Sequence, residues 1–360
     1  MAPEITWCST PASILHAASA LSAHSVLLMD CEAQDLAMPD GALSTIAISG
    51  PLAEHVFIID TLAFPSSPSR SSSTSSAVGP PTPHPGLAPL FALLSLPHIT
   101  KVFWDGRADA LELLLSYGLV LANVLDMQLV EVAVRARAKK PAEVHKGYFE
   151  PIQNEILGNP GAYAGIHRLR SLTHVVGFFQ LVPKGPTDAK GYDLKDPVVV
   201  AMHEAGESAF WLERPLPEHL KAYAAHDLTL MSLVYVHFMR RAWVCKRLQL
   251  LCAQSAVYIG MLGGRAEHAR LAAMDFKRFM PLGIISEEGD VGSKTRYTCD
   301  CCRGALGGDC FVKRVVEGPE GMDKDGSKTI KIERLSFCRL CNALAQRNKR
   351  AEGEWVDCCI

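Results

Sequence analysis

Nowhere in the 360 residues do some 18 apolar side chains follow one another, which excludes an ordinary membrane-spanning helix from the reading. The first residues do not read as a secretory signal either. Residues 1–28 are broken by Glu4, Thr10, Pro11, His16 and His24, with no basic start leading into an apolar run. Net charge is nearly absent too, since 36 Lys and Arg meet 38 Asp and Glu. A nucleic-acid partner would therefore be held by a local patch or by metal ions rather than by an overall basic field. The nucleus or cytoplasm is the expected compartment. Of the 12 cysteines, six fall between Cys299 and Cys341, a crowding that speaks for metal binding and against a secreted disulfide framework. The ending Cys358-Cys359-Ile360 does not fit the four-residue prenylation pattern.

What the chain does hold is ordinary globular material, 48% hydrophobic and 21% charged, enough for two domains or one large domain with appendages. A short helix over 12–21 precedes a strand over 25–30. Two β-rich runs, 43–49 and 55–60, are separated by Gly50-Pro51 and read as a hairpin. Residues 65–86 are dominated by Ser, Pro and Thr and read as a disordered surface insertion, because they cannot bury enough apolar surface to offset their ordering entropy. A helix over 87–96, a strand over 99–104, a helix from Asp109 closed by Gly118, a strand over 120–125 and a helix over 127–139 follow. Further helices are expected at 148–157 and within 161–177, a loop at 183–197, and a long helix over 216–238 that continues to about 261. Strands first and helices later predict an α/β domain with a mixed sheet.

The first strand ends in Asp30-Cys31-Glu32. Side chains two apart on a strand share a face, so two carboxylates stand side by side and repel unless a cation sits between them. Hard divalent cations prefer such oxygen ligands. A strand running into a solvated acidic turn is an equally good account of these residues alone. Asp109 opens an apolar helix, where capping is the plainer reading. Tyr223 and Asp227 lie four apart on one helical face, as many solvated polar pairs do.

Four ordered blocks carry more than any of these singly: Leu27-Leu-Met-Asp-Cys-Glu32, Lys101-Val-Phe-Trp-Asp-Gly-Arg-Ala-Asp-Ala-Leu111, Asn123-Val-Leu-Asp-Met-Gln128, and Trp211-Leu-Glu-Arg-Pro-Leu-Pro217 with Tyr223-Ala-Ala-His-Asp227. Over about residues 5–245 the chain resembles the DEDD exonucleases of the tyrosine subtype, the group of ribonuclease D, the Werner exonuclease and the eukaryotic 3′–5′ exonuclease domain-containing proteins. The resemblance implies a ribonuclease H-like fold, a mixed five-stranded sheet flanked by helices. It implies Asp30, Glu32, Asp109 and Asp227 as ligands of two Mg²⁺ or Mn²⁺ ions, with Tyr223 completing the catalytic set. It also implies 3′–5′ exonuclease activity on RNA or single-stranded DNA. Asp126 matches the family pattern as a supporting position, outside the catalytic set. The alternative is a weakly active or inactive nucleic-acid-binding adaptor that keeps the fold. Arg168, Arg170, Lys184, Lys190 and Lys195 are candidates for a basic rim of the substrate cleft, or a solvated loop.

Past about residue 245 the expected organisation is a helical linker over 246–285 and a small module over 286–360. Cys299-x-x-Cys302 and Cys338-x-x-Cys341 have the spacing of two zinc knuckles, with β-rich runs at 311–316 and 328–335 between them, and predict a zinc-ribbon-like module with structural Zn²⁺. Cys301 and Cys310 could replace a ligand. A closed four-thiolate site leaves no open position for chemistry, so the module's expected role is folding, RNA binding or docking of a protein partner. Arg339, Arg347, Lys349 and Arg350 near the second knuckle suit phosphate contact or a solvated helix face.

Overall fold

The computed structural model describes residues 3–65, 83–138, 156, 158–182, 196–205, 208–285, 295–322 and 328–358. The expected insertion (but for its ends), the helix over 148–157 (but for residue 156) and most of the loop over 183–197 lie outside them. The chain divides into two compact units, Met1–Glu131 with Arg170–Ile259, and Val132–Leu169 with Gly260–Ile360. The stretch 246–285 expected as a linker is shared between these units. Among the described residues no helix is long and apolar enough to cross a membrane.

The first unit is built on a mixed sheet of six strands: β1 (Glu4–Cys8), β2 (Val26–Gln34), β3 (Ala42–Ser49), β4 (His55–Asp60), β5 (Thr100–Phe103) and β6 (Val124–Asp126), in the order β1-β4-β3-β2-β5-β6. The meander β2-β3-β4 is antiparallel, while β5 and β6 add in parallel on one side. The sixth strand, beyond the five expected, is β1, which runs parallel to β4. It escaped the hydrophobic pattern because it is a short edge strand, with Ile5 38% exposed and only Cys8 fully buried.

Helices α1 (Pro11–Leu21), α2 (Ala88–Leu94), α3 (Arg107–Tyr117), α4 (Met127–Ala138), α5 (Leu172–Phe178), α6 (Pro197–Glu204), α7 (Glu218–Met239), α8 (Ala242–Lys246) and α9 (Leu248–Ile259) follow in chain order. Local chemistry sets several boundaries. Thr10 and Ser13 form a capping box at the start of α1, and Gly118 at φ 64° closes α3 in the left-handed conformation that glycine adopts without strain. Leu27, Met29, Cys31 and Ala33 of β2 join Ile14, Leu21, Leu90 and Leu94 in the main core, so Cys31 is an apolar-face residue as the alternation predicts. The opposite face of β2 carries Asp30 and Glu32, and α7 packs against β2.

The second unit holds helix α10 (Arg265–Ala272) and helix α11 (Arg339–Arg347), the strand pairs β7 (Ile166–Arg168) with β8 (Phe279–Pro281) and β9 (Arg296–Thr298) with β10 (Ala305–Gly307), and an antiparallel sheet of β11 (Phe311–Met322), β12 (Lys328–Cys338) and β13 (Trp355–Asp357).

Candidate active site

Alternation along β2 puts Asp30 and Glu32 opposite Ala47 and Thr45 of β3, half-buried on the face away from the core. Asp227 comes from the buried side of α7 and is 7% exposed. One carboxylate oxygen from each of Asp30, Glu32 and Asp227 lies within 4.8 Å of the others. Asp109, in the first turn of α3, stands outside that group of three; its Oδ1 accepts from the Cys31 backbone N–H at 3.0 Å, between the two acids of β2. Burial pushes the Asp109 carboxyl up to about 7, against the opposing pull of its backbone hydrogen bonds. Tyr223, one turn before Asp227, is 9% exposed, packs 6.2 Å from the Trp211 ring and lines a cavity of about 500 Å³ with His219 and His226.

Three like charges this close in partly desolvated surroundings are unstable without a counter-ion. All donors are carboxylate oxygens, the set that hard divalent cations take. The residues present therefore fit Mg²⁺ or Mn²⁺.

Several positioning residues lie outside the expected catalytic set. Arg214 of the Trp211-Leu-Glu-Arg-Pro stretch donates through Nη2 and Nε to Asp60 Oδ1 at 2.7 and 3.0 Å, and through Nη2 to Ser44 O at 3.1 Å. It thus ties the approach to α7 onto β3 and β4, and Ser232 Oγ, donating to Pro51 O at 2.8 Å, fastens the same helix to the β3–β4 turn. The Arg214 guanidinium and the Lys221 ammonium also lie over the Trp7 ring of β1, at 5.5 and 5.1 Å. Glu112, 1% exposed and one turn after Asp109, accepts from the Ala37 N–H at 3.1 Å and so holds the loop that follows Glu32. Its spacing from Asp109 was the only signal in the sequence.

The start of α3 is braced by a buried polar network. Arg107 clasps Asp105 with Nε and Nη2 at 2.5 and 2.8 Å and lies 4.8 Å over Tyr258 of α9. Tyr258 donates to Gln128 Oε1 at 2.7 Å. Asp126 accepts from the N–H groups of Gly106, Gln128 and Leu129 at 2.8, 2.9 and 3.2 Å, so its oxygens serve backbone. Arg170, expected at a basic rim, is instead 6% exposed, paired with Glu131 at 3.1 Å and stacked 4.5 Å from Phe178. A guanidinium buried this deeply needs those partners, which removes it from any solvent-facing rim. Lys184, Lys190 and Lys195 lie outside the described residues, and Arg168 lies on β7 of the second unit.

Comparison with solved structures finds ribonuclease D of Trypanosoma brucei at a TM-score of 0.51, with 19% identity over 72% of each chain. The same protein in complex with RNA U12 matches at 0.50, with 18% identity over 72% of this chain and 70% of that one. This chain has the ribonuclease D fold. No protein-family model and no curated protein matches the sequence. Within the ribonuclease D fold the three converging carboxylates come from the central strand β2 and from α7, elements distant in sequence that the sheet brings together.

A second cluster lies wholly in the second unit. Cys299, Cys302, Cys338 and Cys341 are all buried, and their sulfurs lie within 4.8 Å of one another. Thiolates at 2.3 Å from a tetrahedral ion stand about 3.8 Å apart, so the set fits Zn²⁺. The first pair sits in the turn between β9 and β10. The second differs from a ribbon, in which both knuckles sit on hairpins: Cys338 is the N-cap of α11 and Cys341 lies in its first turn. A helix N-terminus stabilises thiolate charge, which is a physical reason for that placement. Of the spare thiols, Cys301 touches the cluster through a hydrogen bond with Cys341. Cys301 Sγ accepts from Arg270 Nη1 at 3.1 Å, and burial pushes the Cys310 thiol up to about 12.

Proposed function

We propose that the first unit is a metal-dependent 3′–5′ exonuclease that hydrolyses phosphodiester bonds of RNA or single-stranded DNA. The observation that carries the reading is the convergence of Asp30, Glu32 and Asp227 within 4.8 Å on a ribonuclease D fold. Asp109, fixed against the Cys31 amide, is the fourth member of the ligand set. Two Mg²⁺ or Mn²⁺ ions held there would supply an activated water and offset charge building on the phosphoryl and leaving oxygens.

The chain's own groups do the positioning. Tyr223, whose ordinary pKa near 10 makes it a poor base, orients the attacking water through its hydroxyl. Arg214 ties the approach to α7, the helix of Tyr223 and Asp227, to β3 and β4. In the second unit the four cysteines hold a structural zinc ion, whose closed thiolate shell serves folding.

The test is degradation of oligonucleotides labelled at either end, with Mg²⁺ or Mn²⁺, comparing wild type with Asp30→Asn. A 5′-labelled ladder that shortens from the 3′ end, lost in the variant, is the expected result. Equal degradation by both proteins, or tight binding without cleavage by wild type, refutes it; the latter favours an adaptor.

A further inference from the structure

The second unit contains a cavity of about 420 Å³, part polar and part apolar, whose wall includes Arg339 and Asn342, each next in sequence to a cysteine of the cluster. The floor is apolar, made by Val312 and Leu335 of the three-stranded sheet. Beside them stands Trp355 of β13, 38% exposed, with the Arg314 guanidinium 4.1 Å over its ring. One face of the indole is thus covered by a cation, and the exposed ring also lines the cavity. The wall is one stripe of α11, Arg339, Asn342 and Gln346, which are spaced three and four residues apart and so share a helical face.

Asn342 is the decisive residue. It is 8% exposed, and its Oδ1 accepts from the Gly353 N–H at 3.2 Å. Gly353 packs closely on its neighbour and has no room for a side chain, since a Cβ there would meet Phe337 N at 2.6 Å. That bond fixes which way the amide faces and leaves Nδ2, with two N–H donors, lining the cavity and without an acceptor among the described residues. Solvent reaches Nδ2 in the cavity, so a ligand acceptor there takes the place of water. Four residues on, Gln346 donates through Nε2 to Glu352 at 2.7 Å, which leaves its Oε1 as an acceptor. Among the described residues Arg339 makes no ion pair; its Nε donates to the Asp309 carbonyl at 3.4 Å.

An exposed indole, a donor and an acceptor one turn apart, and a guanidinium with no ion pair among the described residues match one unpaired nucleotide: base stacked, base edge hydrogen-bonded, phosphate on the cation. We infer that this cavity binds a nucleotide of single-stranded nucleic acid, making the second unit a binding module in its own right. An acidic peptide would call for a cluster of free cations, whereas Lys331 and Arg314 are already committed to Asp357 and Glu333 at 2.6 Å each. The ligand class is the one proposed for the first unit, but the argument stands on this cavity's own residues.

The experiment measures fluorescence anisotropy of a short labelled single-stranded RNA with full-length protein in the Asp30→Asn background, with bound zinc and circular dichroism recorded for every variant. Trp355→Ala is expected to weaken binding at least about fivefold, the loss of one stacked base, and Trp355→Phe to restore most of it. Asn342→Asp keeps the oxygen that Gly353 needs and removes the donor; a similar loss with unchanged zinc content is expected. Unchanged affinity in Trp355→Ala, or Trp355→Phe as weak as Trp355→Ala, overturns the inference, as does competition by an acidic peptide without any effect of these variants on RNA. The two readings fail separately. A wild type that degrades nothing but shows the Trp355 effects loses the nuclease and keeps the module, whereas degradation without those effects does the reverse.

Discussion

Neutralising one carboxylate of the β2–α7 cluster should stabilise the metal-free protein and abolish its response to metal. Oxygens of Asp30, Glu32 and Asp227 lie within 4.8 Å of one another. At that separation two unit charges repel by about 1 kcal/mol in bulk water and about 3.5 kcal/mol at an effective dielectric of 20. Because Asp30 and Glu32 are half-buried, the lower part of that range applies. Asp30→Asn removes two of the three repulsions, a gain of about 2 kcal/mol, and for a unit of this size each kcal/mol moves the melting temperature by roughly 2–4 °C. Melting in a chelator should therefore be higher for Asp30→Asn than for wild type by roughly 4–8 °C. Adding Mn²⁺ should reverse the order: ligand at a hundred times its Kd stabilises wild type by about 2.7 kcal/mol, and the variant, short of one ligand, responds little. Equal melting of the two proteins in chelator, or an equal Mn²⁺ shift in both, would refute the reasoning, since either means that the three carboxylates do not share a cation site. Chelator must be matched in both arms, because zinc loss from the second unit gives its own transition.

Arg214→Met leaves the Asp60 carboxylate, 6% exposed, without its cation, and should cost about 3 kcal/mol in urea unfolding, with Asp60→Asn in the same chain recovering part of it. Additive losses in the double variant would show that the pair is not what anchors α7. Lys101 is fully buried, donates to Leu96 O and Ile99 O at 2.8 Å each, and is pushed by burial down to about 8. Its unfolded form titrates near 10.4, so between those pH values the unfolded chain holds more protons and stability rises with pH by up to about 1.4 kcal/mol per unit. Unfolding free energies of wild type and Lys101→Met, compared across that window, should differ by this slope; a constant difference would be evidence against it. Cys338→Ser should lose zinc and melt the second unit, since structural zinc contributes on the order of 10 kcal/mol to folding in small domains. A folded, zinc-loaded variant would show that a different thiol completes the site.

The sequence was informative where a pattern is local. Period-two alternation placed Cys31 on the core side and Asp30 with Glu32 on the other, and both follow from β2 alone. The helix of Tyr223 and Asp227 was legible from its bordering prolines and apolar content. What stayed hidden was pairing at a distance. Strand β1 gains its place only by hydrogen bonding to β4 some 50 residues later, and nothing in Glu4–Cys8 announces a partner. The Asp105, Arg107, Gln128 and Tyr258 network closes a separation of 153 residues, and no local pattern pairs its members. The module's second cysteine pair was legible as a pair but not as a helix cap, because Cys-x-x-Cys spacing fits a hairpin turn and a first helical turn equally. The same limit applies to Asp109. Its position at the head of α3 was foreseeable, yet only the fold shows its oxygen spent on the amide of Cys31, the residue between the two acids of β2. A core-facing residue thereby fixes the proposed fourth carboxylate through its backbone amide, a contact that no spacing in the sequence announces.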